Sequence, residues 1–265
     1  MRVSPPYGSE LFWHPADRNL MTQILAHERV KNLVDWIRDQ QLEEAYQSVF
    51  RSSFLELREE TAPEIHQLLR QACNLFGREE LPGLYLTREP ESTVELLGIS
   101  RPIILLSDSF LRRLDQKALL GVLAGQVAGI QVGHHRGLTL AWLMETCLQM
   151  LPIPAQVLGG IEMLLNQWKR CRAYTCDRGY LLAVGELHGA FQGLLQTMCT
   201  PELLERLALG THQDRYLPQV QAFFRRSGLD DVIAQANTFA SDTAWLPQRY
   251  RELEAFGRQI QEGLV

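Results

Sequence analysis

The sequence predicts an α+β fold dominated by helices, and three observations carry that prediction. Long stretches before residue 76 and after residue 107 space their apolar residues at three and four, as a helix with one buried face requires. Between them, three short apolar runs bounded by Gly and Pro read as strands. The order is therefore helices, a small sheet, then more helices. No internal repeat is visible, and no linker is long enough to separate two units. Residues 1–265 are read as one domain, of a size that buries a proper core.

Residues 16–50 carry Leu20, Ile24, Leu25, Val30, Leu33, Val34 and Ile37 at helical spacing, and Pro63 opens a helix through Leu75. The strand candidates are Leu84–Leu86, Thr93–Leu97 (ended by Gly98) and, after Pro102, Ile103–Leu106. Ser107 or Asp108 is suited to cap a short helix, and Asp115 the next. That helix runs as far as Val132, where Gly133 stops it. Leu138 to Leu165 is long and apolar enough to compare with a bilayer span. Glu145, Gln149, Gln156 and Glu162 interrupt it, however, and Pro152 and Pro154 break it in the middle. It reads as two short buried or interfacial helices joined by a Pro-containing turn, with peripheral membrane contact through 138–165 as an open role. From Ile161 further helices run to the end, with breaks around Pro201, Gly210 and Gly228.

Composition narrows the function classes. With 46% hydrophobic and 22% charged residues, the chain belongs among globular rather than disordered sequences. Its net charge of -5, with no basic cluster beyond Arg170-Cys171-Arg172, argues against nucleic acid as a partner. The 5 cysteines (Cys73, Cys147, Cys171, Cys176, Cys199) are odd in number and scattered, which reads as reduced thiols in the cytoplasm. Met1-Arg2-Val3-Ser4-Pro5-Pro6 lacks the apolar core of a signal peptide, so export is not expected.

The most informative segment is Val122-Leu123-Ala124, then Gly125-Gln126-Val127-Ala128-Gly129, then Gly133-His134. Downstream stands Ala173-Tyr174-Thr175-Cys176-Asp177-Arg178. Together these resemble the two site motifs of HtpX-like gluzincin zinc metallopeptidases: an H-E-x-x-H helix framed by Val-Leu-Ala and Gly-His, and a Glu-Tyr-x-Ala-Asp-Arg frame on a later helix. Leu11–Arg18, Pro102–Leu106 and Trp245–Leu253 resemble other parts of that family more diffusely, and the His-Pro that usually precedes the last segment is Thr243-Ala244 here. The resemblance implies a gluzincin (zincin-like) architecture, with a small sheet beside the helix that carries the site.

The same alignment implies that the chemistry is gone. In such enzymes two His at i and i+4 on one helix face hold zinc, a third ligand comes from the later Glu, and the Glu of the first motif takes a proton from bound water. The corresponding positions here are Gly125, Gly129, Ala173 and Gln126. Glycine and alanine cannot coordinate, and a carboxamide is no base near neutral pH. No metal and no cofactor is expected. The implied function is that of a pseudopeptidase: a protein-binding, regulatory or structural subunit whose partner is another protein. Its implied groove is the edge strand Thr93, Val94, Glu95, Leu96 and Leu97, which pairs with extended peptide in active relatives. Two other functions fit the same residues: a metalloendopeptidase with an unorthodox site, and a protein that binds an apolar ligand or membrane surface through 138–165.

The remaining candidates have plainer readings. His134 and His135, at a helix end, are expected to cap carbonyls or face solvent; with Cys171 or Cys176 they would otherwise suggest a relocated metal site. Cys171 and Cys176 lack C-x-x-C spacing and read as packing residues, and the resemblance implies a structural hydrogen-bonding role for Asp177-Arg178. Gly121, Gly125, Gly129 and Gly133 recur every fourth residue. Such a side-chain-free stripe costs about 1 kcal/mol per interior glycine, so a neighbouring backbone is expected to pack there unless the cleft stays open.

Overall fold

The computed structural model describes residues 4–28, 30–32, 35, 44, 48, 52–87, 93–147, 155–206, 216–225 and 244–263. Helix starts follow the caps the sequence offers. After α1 (Ser9–Phe12), α2 (Pro15–Ala26) begins where the His14 ring accepts from Ala16 N–H. Pro63 opens α3 (Pro63–Leu75). Ser107 Oγ accepts from Phe110 N–H to start α4 (Asp108–Leu111), and Asp115 Oδ1 accepts from Ala118 N–H at 2.7 Å to start α5 (Gln116–Gln131). Gly133, at φ 86°, supplies the left-handed turn after α5 and leads into α6 (His134–Cys147).

The second helix of the 138–165 segment is not short. It is the start of α7 (Ala155–Val184), which runs 30 residues straight through Ile161 and ends only before Gly185 at φ 81°. Trp168, near its middle, and Tyr180, Leu181 and Leu182, in its last turns, are buried, and that packing sustains a longer helix than the sequence suggested. The turn holding Pro152 and Pro154, the breaks at Gly210 and Gly228, and the apolar positions Leu33, Val34 and Ile37 lie outside the described residues. The chain continues through α8 (Leu187–Gln196), α9 (Pro201–Arg206), α10 (Leu217–Phe224) and α11 (Leu246–Glu262). Among the described residues, no helix is long and apolar enough to cross a membrane.

The three strands read from sequence are present as β2 (Gly83–Thr87), β3 (Val94–Leu97) and β4 (Ile103–Ser107), joined by an unforeseen β1 (Leu55–Glu56). Two residues are too few to show a period, and Leu55 is exposed, so β1 left no signal in the sequence. The sheet order is β1-β2-β4-β3, with β2 parallel to β4 and the outer pairs antiparallel. β4 is buried along its whole length, which explains its unbroken apolar run. One sheet face (Leu84, Leu96, Ile104, Leu106) joins α3, α5, α7 and α11 in the main core, while the other (Tyr85, Leu97, Ile103, Leu105) packs on Leu138 and Trp142 of α6. The result is an α+β fold with β3 on the rim of the sheet.

Candidate functional site

The glycine stripe is filled, not open. A Cβ placed on Gly125 would lie 2.7 Å from the Cys176 carbonyl oxygen of α7, and one on Gly121 would overlap the Tyr180 ring. Gly179 of α7 answers from the other side: its Cβ position is 2.7 Å from Ala128 Cβ and 3.3 Å from Gly125 Cα. Helices α5 and α7 thus touch backbone to backbone, which is what the expense of the stripe secures. Gly129 leaves room for the His134 ring, whose Nδ1 would be 2.9 Å from an added Cβ.

His134 and His135 do not cap carbonyls at the surface; both are buried. His134 Nε2 donates to Asp17 Oδ2 at 2.7 Å, and both side chains are fully sealed from solvent. Asp17 also accepts from the Thr175 hydroxyl and, at 2.8 Å, from Trp168 Nε1, while the His14 N–H donates to Thr175 Oγ1. One carboxylate therefore ties α2, α6 and α7 together. Burial alone would discharge the His134 ring, but the adjacent Asp17 carboxylate, with a smaller contribution from Cys176, pushes it up to about 9. His135 is pushed the other way, down to about 4, by burial and by the nearby Arg136 and Arg78. Tertiary burial overrides the surface role the sequence suggested, because an ion pair this well hydrogen-bonded can live inside the protein.

This pair sets a pH dependence. His134 binds its proton more tightly when folded than its ordinary value of 6.5, so its contribution to stability is complete below pH 6.5 and is lost as pH rises through 9. Stability should fall across that window with a slope of up to about 1.4 kcal/mol per pH unit. Urea titrations from pH 6 to 10 check this, and the His134→Gln protein should lack that slope. Equal pH profiles for the two proteins would remove the charged pair from the account.

Asp177, from the downstream motif, is held by Arg249 of α11 through two bonds, Nε to Oδ2 at 2.9 Å and a second guanidinium nitrogen to Oδ1 at 2.6 Å. Arg178 lies over the Phe256 ring, 4.6 Å from its centroid, and its Nε is buried without an acceptor among the described residues. Cys171 packs beside an apolar cluster that includes Leu20, Met21, Ile24, Leu140 and Trp168, and burial raises its thiol to about 11. Cys176 is more than packing, since it borders a cleft.

That cleft brings the sequence-predicted positions together. It encloses about 380 Å³ and is lined by Val94, Glu95, Leu96 and Leu97 of β3, Gln126 of α5, Leu138 and Trp142 of α6, and Arg172, Ala173 and Cys176 of α7. Thr93 stands just ahead of the strand, where its N–H donates to Ser107 Oγ and its carbonyl accepts from Ser107 N–H. Gly125 and Gly129 face the helix packing rather than the cleft, whereas Gln126 and Ala173 face the cleft. Gln126 is buried, and its Oε1 has no hydrogen-bond partner among the described residues.

The strand register sets which backbone groups face outward. Thr93 pairs toward Ser107, and with a period of two Glu95 and Leu97 also turn their N–H and C=O toward β4. The backbone groups of Val94 and Leu96 therefore point away from β4, to an edge that no other strand pairs among the described residues. Farther along, that edge is closed by Thr139 of α6, whose Oγ1 accepts from Gly98 N–H at 2.7 Å. Chemically, the cleft offers backbone donors and acceptors, an unmet carboxamide and an apolar wall. Among the described residues no group of three or more His, Cys, Asp or Glu side chains is placed to hold a metal ion. Sequence reasoning missed Arg172 and Trp142, which only the approach of α6 and α7 brings to the cleft. No family model, no curated protein and no solved structure matches the chain.

Proposed function

We propose that this chain is a catalytically inactive homologue of HtpX-like gluzincin peptidases that binds an extended segment of a protein partner in the β3 cleft. The observation that carries this reading is the meeting of Gln126 and Ala173, two positions at which the resemblance expects catalysis and metal, beside the outward-facing backbone of Val94 and Leu96. A peptidase cleft stripped of base and ligands retains what holds a strand: an edge unpaired among the described residues, for main-chain bonds, and pockets for alternate side chains. The close contact of α5 and α7 at Gly125 adds support, because a His there would need the two helices to separate before it could reach any metal.

The test is selection of peptides on the immobilised protein, followed by comparison with Val94→Pro. Val94 is the first residue of β3 and turns its N–H outward, so proline removes a docking donor while the bonds to β4 remain. Affinity for selected peptides should drop by roughly tenfold, with the melting temperature nearly unchanged. Unaltered binding would move the interface elsewhere, the apolar 138–165 segment being the next surface to test. Stoichiometric, tightly held zinc in the purified protein would restore the reading of an unorthodox metallopeptidase.

A further inference from the structure

We infer that the segment held in the cleft carries a carboxylate received by Arg172, with Gln126 fixing a neighbouring peptide group. This rests on the peptide-binding reading above and adds the chemistry of the bound segment. The cleft is lined by three cations, Lys169, Arg172 and Arg249, against one carboxylate, Glu95. Arg249 is already neutralised by its two bonds to Asp177. Arg172 is different: among the described residues it has no carboxylate partner, and its Nε is buried without an acceptor. A buried N–H of a guanidinium asks for an acceptor, and the planar fork suits a carboxylate best.

Gln126 presents the complementary deficit. Its side chain is more than nine-tenths buried, borders the same cleft, and holds an oxygen that accepts from no group among the described residues. The unmet groups are thus one cationic donor and one neutral acceptor, beside a strand edge that itself offers both. A ligand that answers all three has N–H groups, carbonyls and a negative charge, which describes an acidic peptide in extended form. A phosphate chain would call for several free cations along its path. Here Lys169 has an interaction of its own and Arg249 is bonded to Asp177, so among the described residues lining the cleft Arg172 alone remains, on a chain of net charge -5. That same net charge gives no long-range attraction for an acidic partner, so the preference arises from contact at Arg172 and appears in the dissociation rate.

The experiment uses the full chain and three series of fluorescein-labelled Ser/Val octapeptides read by anisotropy. In one a single Glu is walked through the positions, in the second Gln replaces it, and in the third the peptide ends in a free carboxylate or an amide. A carboxylate at one position, internal or terminal, should tighten binding by roughly tenfold over its neutral isostere. The two arms distinguish an acidic side chain from a chain terminus. Arg172→Gln should cancel that preference, and a circular dichroism spectrum and melting temperature equal to those of wild type certify its fold. Arg172→Lys, which keeps the charge but not the buried Nε donor, should recover only part of the preference. If acidic and neutral peptides bind wild type alike and Val94→Pro weakens both, the carboxylate inference fails and the groove reading stands. If the preference survives Arg172→Gln, the assignment to Arg172 is wrong. If no peptide in any series binds, both fall together.

Discussion

Replacing Asp17 with alanine should cost this protein about 3–5 kcal/mol of stability, the range for removing one partner of a buried charge pair. The loss is large because Asp17 has three clients. Without it the His134 imidazolium, the Trp168 indole N–H and the Thr175 hydroxyl remain buried with no acceptor in place. Against a total of about 5–15 kcal/mol for a typical domain, that is enough to leave much of the population unfolded in mild denaturant. Asp17→Asn keeps the shape and one acceptor oxygen but loses the charge, and should fall between wild type and alanine. Equilibrium urea unfolding of the three proteins at pH 6 measures the order. A cost below about 1 kcal/mol for the alanine variant would mean that the network holds nothing together.

Gly125→Ala should destabilise by about 1–3 kcal/mol, although alanine is the better helix former by about 1 kcal/mol. The added methyl would meet the Cys176 carbonyl oxygen at 2.7 Å. That atom belongs to the backbone of a long packed helix and cannot rotate away, so α5 and α7 must move apart. Gly257 supplies the contrast within the same protein. It lies inside α11, and a Cβ there would find its nearest neighbours, Leu181 Cδ2 and Leu187 Cδ1, at 3.6 and 3.9 Å, an ordinary contact distance. Gly257→Ala should therefore stabilise by up to about 1 kcal/mol through helix propensity. Opposite signs for the two glycine replacements in thermal melts are the expected result. If Gly125→Ala also stabilised the protein, the close approach of the two helices would be refuted.

The caps at Ser107 and Asp115, the stop at Gly133, the α3 helix from Pro63 to Leu75 and three of the four strands were legible in the sequence. Each is a local decision. A side-chain oxygen reaches an N–H three residues on, proline fixes its own φ, and glycine alone enters a left-handed turn cheaply. The length of α7 and the existence of β1 were not legible, because both depend on neighbours distant along the chain. The site divides in the same way. That Gly125, Gln126, Gly129 and Ala173 lack ligating or basic groups is a fact of residue type. That Gln126 and Ala173 border a cleft while Gly125 and Gly129 face helix packing needed the structure.

The sequence alone thus determined where most local elements start and stop and which functional groups the two helix segments carry, since propensity, capping and side-chain chemistry are properties of a few adjacent residues. Only the tertiary structure decided the environment of each group. Asp17 and His134 lie 117 residues apart, and nothing in either neighbourhood announces that they share one buried hydrogen bond. Packing also turned a costly stripe of glycines into the contact surface of α5 with α7, and among the described residues left Arg172 Nε and Gln126 Oε1 buried without partners beside the β3 edge. Burial, dielectric and backbone approach belong to the assembled chain, because they arise only when segments far apart in sequence exclude water from between them.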